Sequence, residues 1–111
     1  MLDHERLDVY RTAIEFAGLA FRLIEQLPRG NAALTDELRR AAVSVPLNIA
    51  EGNGRSGGEK AQYMRIARGS AMECGAILDI LRLLKVAPID EIEGGKALLV
   101  RVVSMLTKIG A

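Results

Sequence analysis

The chain has no tryptophan, one cysteine and one histidine in 111 residues, and each scarcity closes off a class of protein. A lone Cys74 cannot form an intramolecular disulfide, which removes the cross-linked secreted scaffolds. A lone His4 excludes His-rich zinc sites and the paired Glu-x-x-His motifs of di-iron bundles. Two Tyr and two Phe give no platform on which nucleic-acid bases could stack. Charge of one sign is missing too: 15 Lys+Arg against 14 Asp+Glu leave a formal +1, so any basic surface has to be local. The most apolar stretch, 13–27, is broken by Glu15, Arg22 and Glu25 and falls short of the roughly 20 apolar residues of a membrane span. The opening Asp3-His4-Glu5-Arg6 is followed by no uncharged apolar run, so no secretory signal is visible. These absences predict a cytoplasmic protein with no membrane contact, no metal site and no cofactor.

What is present is the composition of one folded domain spanning 1–111, with 50% hydrophobic and 26% charged residues. Nothing alternates as a strand would, and four helical patterns lie between breakers. The first starts near Asp8 as N-cap and carries Tyr10, Ile14, Ala17, Phe21 and Ile24 before Pro28-Arg29-Gly30-Asn31 stops it. The second runs from Leu34-Thr35 through Leu38, Ala41, Ala42, Val45 and Ile49 to Gly52. Pro46 in its interior removes a backbone donor and predicts a kink. The third repeats Tyr63, Ala67, Ser70, Cys74, Ile77, Leu81 and Leu84 at alternating spacings of four and three, over about three heptads. Ser56-Gly57-Gly58-Glu59 ahead of it has the form of a capping box. The fourth follows Pro88, with Asp90 and Glu93 as a cap-like pair and Leu99, Val102, Leu106 and Ile109 as its seam. Gly94-Gly95 are expected to delay its regular start. Four helices with short connections predict an all-α, antiparallel up-down-up-down four-helix bundle.

The first helix has more apolar surface than such a bundle needs. At 100° per residue its apolar side chains cover about 220°, against the roughly 100° or somewhat more of a typical buried stripe. The surplus, Phe16, Leu19 and Leu23, would face water. Either it reflects overpacked helix ends, or it marks self-association, and large exposed apolar patches are uncommon on soluble monomers. A homo-oligomer with those three residues in its interface is the expectation.

Candidate chemistry is sparse. Gly52-Asn53-Gly54-Arg55-Ser56-Gly57 is a literal G-x-G-x-x-G, but no strand precedes it, so a helix-helix connection is the better reading. Glu73 shares a side of the third helix with Ile66, Ile77, Ile80 and Leu84, and a carboxylate there needs a polar or cationic partner. Arg39, Arg40, Ser44, Asn48 and Glu51 of the second helix are candidates, giving a buried polar network that includes Ser70. A catalytic pair of Glu51 and Glu73 is the sharper alternative, without a nucleophile or His nearby in sequence. Cys74 on the seam reads as a small core residue. Arg65 and Arg68 lie one turn apart opposite the seam, after Arg55 and Lys60. These four cations are the candidate contacts to a nucleic-acid backbone, and solvated surface charge is the alternative.

Leu38-Arg39-Arg40-Ala41-Ala42-Val43-Ser44-Val45-Pro46-Leu47-Asn48-Ile49-Ala50-Glu51-Gly52 resembles the signature of the four-helix-bundle proteins related to the 23S ribosomal RNA intervening-sequence protein, roughly L-R-R-A-A-x-S-I-P-x-N-I-A-E-G. Arg55, Ser56 and Glu59 continue it, Ala67-Arg68-Gly69-Ser70 with Glu73 is similar to the family's A-x-G-S-x-x-E, and Leu7, Val9, Tyr10 and Ala13 suit its opening. The resemblance implies a left-handed antiparallel bundle from bacterial cytoplasm that assembles as a homo-oligomer, in the family's expected form a pentamer. It implies RNA or an RNA-associated protein as partner. A related accessory protein of diversity-generating retroelements is a basic, nucleic-acid-binding pentamer, and this chain departs from it in having almost no net charge. The combined expectation is a non-enzymatic homo-oligomeric scaffold for RNA or an RNA-associated protein. The alternatives are a protein-binding adaptor without nucleic-acid contact, and an enzyme using Glu51 and Glu73.

Overall fold

Four helices, α1 (Asp8–Gln26), α2 (Ala32–Asn53), α3 (Gly57–Leu84) and α4 (Ile89–Ile109), follow a single 3-10 turn at Asp3–Arg6 in a computed structural model that describes residues 1–109. No strand occurs among the described residues. Asp8 proves to be the first helical residue of α1 and not its cap; its carboxylate pairs with Arg11 one turn on and complements the helix dipole. α2 begins at Ala32, earlier than Leu34, and stays one unbroken helix across Pro46. The capping box before α3 does not form: the Ser56 side chain caps nothing, and the Glu59 carboxylate accepts from Arg55 at 3.2 Å instead. α4 passes through Gly94-Gly95 without a delayed start.

At 1.5 Å per residue the 28 residues of α3 span about 42 Å, which accounts for the 43 Å long axis of the molecule. α1 packs on α2 and α4 and α3 packs on the same two, while among the described residues no Cα atoms of the diagonal pairs come within 8 Å, so the helices stand at the corners of a square. The side-chain pairs across each edge are specific. Ser44 meets Ser70 and Arg40 meets Glu73 between α2 and α3; Asp79 meets Lys96 and Arg82 meets Glu93 between α3 and α4. Between α1 and α4, Arg101 reaches the Thr12 hydroxyl at 3.3 Å and Gln26 reaches Glu91.

The core corrects the reading of α1. Its buried face is Val9, Thr12, Ala13, Phe16, Ala20, Leu23 and Ile24, so Phe16 and Leu23, expected at an oligomer interface, are 1% and 0% exposed within one protomer. Leu19 is half-buried. The cause lies on α4. A Cβ built on Gly95 would stand 3.0 Å from Leu78 Cδ1, 3.2 Å from Leu19 Cδ2 and 3.4 Å from Phe16 Cε1, so the glycine is a notch that receives these side chains. Thr12 joins the buried face because its hydroxyl donates to the Asp8 carbonyl at 2.8 Å, leaving no unmet polar group there. The apolar surplus on α1 therefore sits on the opposite edge, at Ile14 and Phe21, 45% and 37% exposed.

On α3 the buried set is Met64, Ala67, Ser70, Ala71, Cys74, Ile77, Leu78 and Leu81, while Leu84 is exposed. On α4, Leu99, Val102 and Leu106 are buried as the seam requires and Ile109 is exposed. No helix among the described residues is long and apolar enough to cross a membrane.

Candidate functional site

The polar residues of α2 and α3 divide into an inner and an outer group. Inside, the Ser44 and Ser70 hydroxyls lie 2.8 Å apart, and the Asn48 side-chain amide donates to the Ser44 carbonyl at 2.8 Å and to its hydroxyl at 3.0 Å. The Ser44–Ser70 bond ties the register of the two helices, because a one-turn slip would take Ser70 away from its partner, while the Asn48 bonds lie within α2 and hold the Ser44 side chain in place. Outside, Arg40 bridges two carboxylates, Glu37 Oε2 at 2.8 Å and Glu73 Oε2 at 2.5 Å. The Arg40 guanidinium, then the Glu73 side chain, hold the Glu37 carboxyl below its ordinary value, and Glu37 raises Arg40 in return.

Two expected members stand apart from this cluster. Arg39 pairs with Asp36 at 3.3 Å on the surface of α2, and Glu51 accepts from Arg55 at 3.3 Å. Glu73 is half-exposed and its partner is Arg40, so the expected single buried network is a small part-buried cluster, of which only Ser70 is buried, plus a surface ion triad. Glu51 and Glu73 do not meet. Glu73 is held at Arg40, and Arg40 and Glu51 are 11 residues apart along α2, about 16 Å of helix. A concave strip of about 540 Å³ runs along α2 past Val43, Ser44, Leu47 and Asn48, but the Asp36, Arg39 and Arg40 that also line it are each in an ion pair. Burial, then the Glu73 charge, pushes the Cys74 thiol up to about 12, which leaves it an inert core residue at neutral pH. Among the described residues no cluster of His, Cys, Asp and Glu is placed to hold a metal ion.

The four candidate cations differ in their surroundings. Arg55 is engaged: it donates to Glu51 and Glu59, and its guanidinium carbon lies 5.6 Å from the centre of the Tyr63 ring. Glu51, ahead of Tyr63 and Glu59, raises its pKa. Lys60, Arg65 and Arg68 form no salt bridge among the described residues, and neither does Lys108 of α4. The sequence explains why: no acid lies between Glu59 and Glu73 on α3, and none follows Glu93. Beside Arg65 and Arg68, between α3 and α4, a shallow groove of about 410 Å³ is lined by Ala71, Met72, Gly75, Leu99, Val100 and Val103, with Lys96 and Ser104 at its edges.

A protein-family model described as 23S rRNA-intervening sequence protein matches residues 5–108. The chain belongs to this family. Among curated proteins no relative matches it. In this member of the intervening-sequence family, the signature segment 38–52 supplies Arg40, Ser44 and Gly52, three residues by which α2 meets α3, and Asn48, which holds the Ser44 hydroxyl. Gly52 is the tightest of these contacts, since a Cβ there would lie 2.9 Å from Tyr63 Cβ. Sequence reasoning passed over Gly52 as a loop glycine, although its place at the end of an apolar helical pattern was the available signal. The α3 wall of the groove, Ala71, Met72 and Gly75, carried no signal in the sequence.

Proposed function

We propose that this chain is a non-enzymatic, homo-oligomeric scaffold of the cytoplasm, built as a left-handed antiparallel up-down-up-down bundle with α2 bent at Pro46. The observation that carries this reading is the apolar surface left over once the core is complete. Met72 and Val100 beside the α3–α4 groove are 60% and 67% exposed, and Ile14 and Phe21 form a second strip on α1. A bundle whose signature polar groups are spent on joining its own helices has little left for catalysis, whereas two separate apolar strips fit association with copies of itself. The free Cys74 inside the core agrees with a reducing compartment.

A second reading adds RNA, or an RNA-associated protein, to the assembled surface, and the acid-free stretches carrying Lys60, Arg65, Arg68 and Lys108 favour it. Arg55, already held by two carboxylates, is the weakest of the candidate contacts. Light scattering of the purified protein tests the assembly, with a mass of several protomers as the expected result. Fluorescence anisotropy against an RNA hairpin at two salt concentrations tests the second reading. Binding that weakens steeply with salt and falls on Arg65→Ala supports it, and no binding at low salt leaves a protein-only scaffold.

A further inference from the structure

The aromatic rings of the chain are spent away from its free cations, and this bears on the form of nucleic acid that those cations suit. Phe16 is buried in the core, Tyr63 lies under the Arg55 guanidinium, and His4 meets Tyr10 edge-on at 4.7 Å between ring centres. Phe21 is on α1, at the corner diagonal to α3. On the side of α3 that carries Arg65 and Arg68, no ring is left for an unpaired base to stack on.

The cations also lack a groove. Lys60, Arg65 and Arg68 span about 12 Å of helix axis and fan over about 140° of its circumference. Arg65 stands opposite the buried seam and is exposed, with Lys60 and Arg68 half-buried to one side of it. This is the convex back of a helix. The concave strip next to it, between α3 and α4, is apolar apart from Ser104 and Lys96, and Lys96 is held by Asp79.

The patch is positive because the acids around it are neutralised. Glu59, which precedes it, and Glu51, at the facing end of α2, are both held by Arg55; Glu73 is held by Arg40, and α4 has no acid after Glu93. Arg55 therefore serves the patch without belonging to it. Single strands are bound by a basic groove that tracks the backbone and by rings that stack the bases, and this face offers neither. A double helix stacks its bases on one another and brings grooves of its own, so it can take a protruding helix with a spread of cations. In RNA its major groove is too deep and narrow for side chains to read, which leaves phosphates and 2′-hydroxyls as the contacts.

We propose that the RNA met by this chain is a double helix, lying across the N-terminal half of α3 and held through its phosphates by Lys60, Arg65 and Arg68, with no base sequence read. This inference rests on the RNA reading above and adds the form of RNA that the surface selects.

Fluorescence anisotropy on the full chain tests it with three probes: an RNA hairpin, a second hairpin with a shuffled stem sequence, and an unstructured single strand of the same length. The two hairpins should bind alike, and about tenfold or more tighter than the strand. For the hairpins, log K should fall linearly with log salt. Arg65→Ala and Lys60→Ala, each shown to fold by its melting curve and to assemble as the wild type does by light scattering, should each make that slope shallower by about 0.9 for every protomer engaged. Arg29→Ala, in the α1–α2 connection at the other end of the bundle, should leave it unchanged. No binding of any probe at low salt removes the RNA reading and this inference with it. A strand that binds as tightly as the hairpins, or hairpins whose affinities differ about tenfold with stem sequence, overturns the inference and leaves the RNA reading standing. A slope untouched by Arg65→Ala and Lys60→Ala, or flattened equally by Arg29→Ala, overturns it as well.

Discussion

The two long edges of α3 are finished in opposite ways. Along the edge facing α2, the polar groups find partners inside the molecule: Ser70 with Ser44, Glu73 with Arg40, Glu59 with Arg55. Along the edge facing α4, Asp79 and Arg82 are paired near the end of the helix, but toward its start Arg65 and Arg68 are without carboxylates and Met72 stands in solvent. The polar residues of the family signature, Arg40, Ser44, Ser70 and Glu73 among them, meet along the first edge. What identifies the family is therefore the means by which two helices are locked together, and the surface open to a partner is the one where the signature is thin. A motif can name a fold while saying little of what the fold touches.

The comparison is sharpest at Gly52. An alanine there places Cβ 2.9 Å from Tyr63 Cβ, an atom tied to the α3 backbone, so the helices have to move apart. Overpacking of this kind costs about 1–3 kcal/mol, and Gly52→Val should lie at or beyond the top of that range in a denaturant titration. Gly58→Ala is the control, since nothing lies within 4 Å of its Cβ position; it should gain about 0.5–1 kcal/mol from helix propensity. Next in size is the inner polar cluster. Ser70→Ala leaves the Ser44 hydroxyl with Asn48 alone and should cost about 1 kcal/mol. A Ser44→Ala, Ser70→Ala cycle should show coupling, whereas additive losses would mean that the two hydroxyls do not act as a unit. On the other edge, Met72→Thr should change the unfolding stability of the monomer, measured at a dilution where light scattering shows no assembly, by no more than about 0.5 kcal/mol. A larger loss there would show that the groove is part of the protomer's own core and would undo the contrast.

How far each edge was legible follows from the same physics. α3 was readable because its buried seam, Ala67, Ser70, Cys74, Ile77 and Leu81, keeps a single register over two heptads. α1 offered two apolar stripes about 100° apart, and periodicity alone cannot choose between them. The choice was made on α4 by Gly95, whose missing side chain admits Phe16 and Leu19. Gly94-Gly95 read as an interruption of a helix when it was a socket in one, because a glycine's absent Cβ has opposite meanings for propensity and for packing. Glu73 correctly announced a partner on α2, but Arg39 and Arg40 are adjacent in sequence and point 100° apart, so only the orientation of α2 could select Arg40. Glu51, equally plausible in a list of polar residues, was out of reach by axial distance and not by chemistry.

The smallest expected effect belongs to that Arg40 triad, and it should appear as a change with pH more than as a difference at one pH. Surface ion pairs contribute little because water and salt screen them, and Arg40 and Glu37 are more than half exposed and Glu73 more than a third. Arg40 nevertheless holds Glu37 below the ordinary glutamate value of 4.5 in the folded chain. A group whose folded pKa is depressed stabilises the protein above its unfolded pKa, and that stabilisation is lost as the pH falls through the folded pKa. Melting curves of the wild type and of Arg40→Gln, followed from neutral pH down to about 3 at low salt, should therefore differ most at neutral pH and converge below 4.5. Added salt should shrink the neutral-pH difference in the same direction. Curves that stay equally far apart at all pH values would mean that Arg40 acts by covering the α2–α3 seam with its aliphatic stem, and its charge would then be incidental to the edge that it closes.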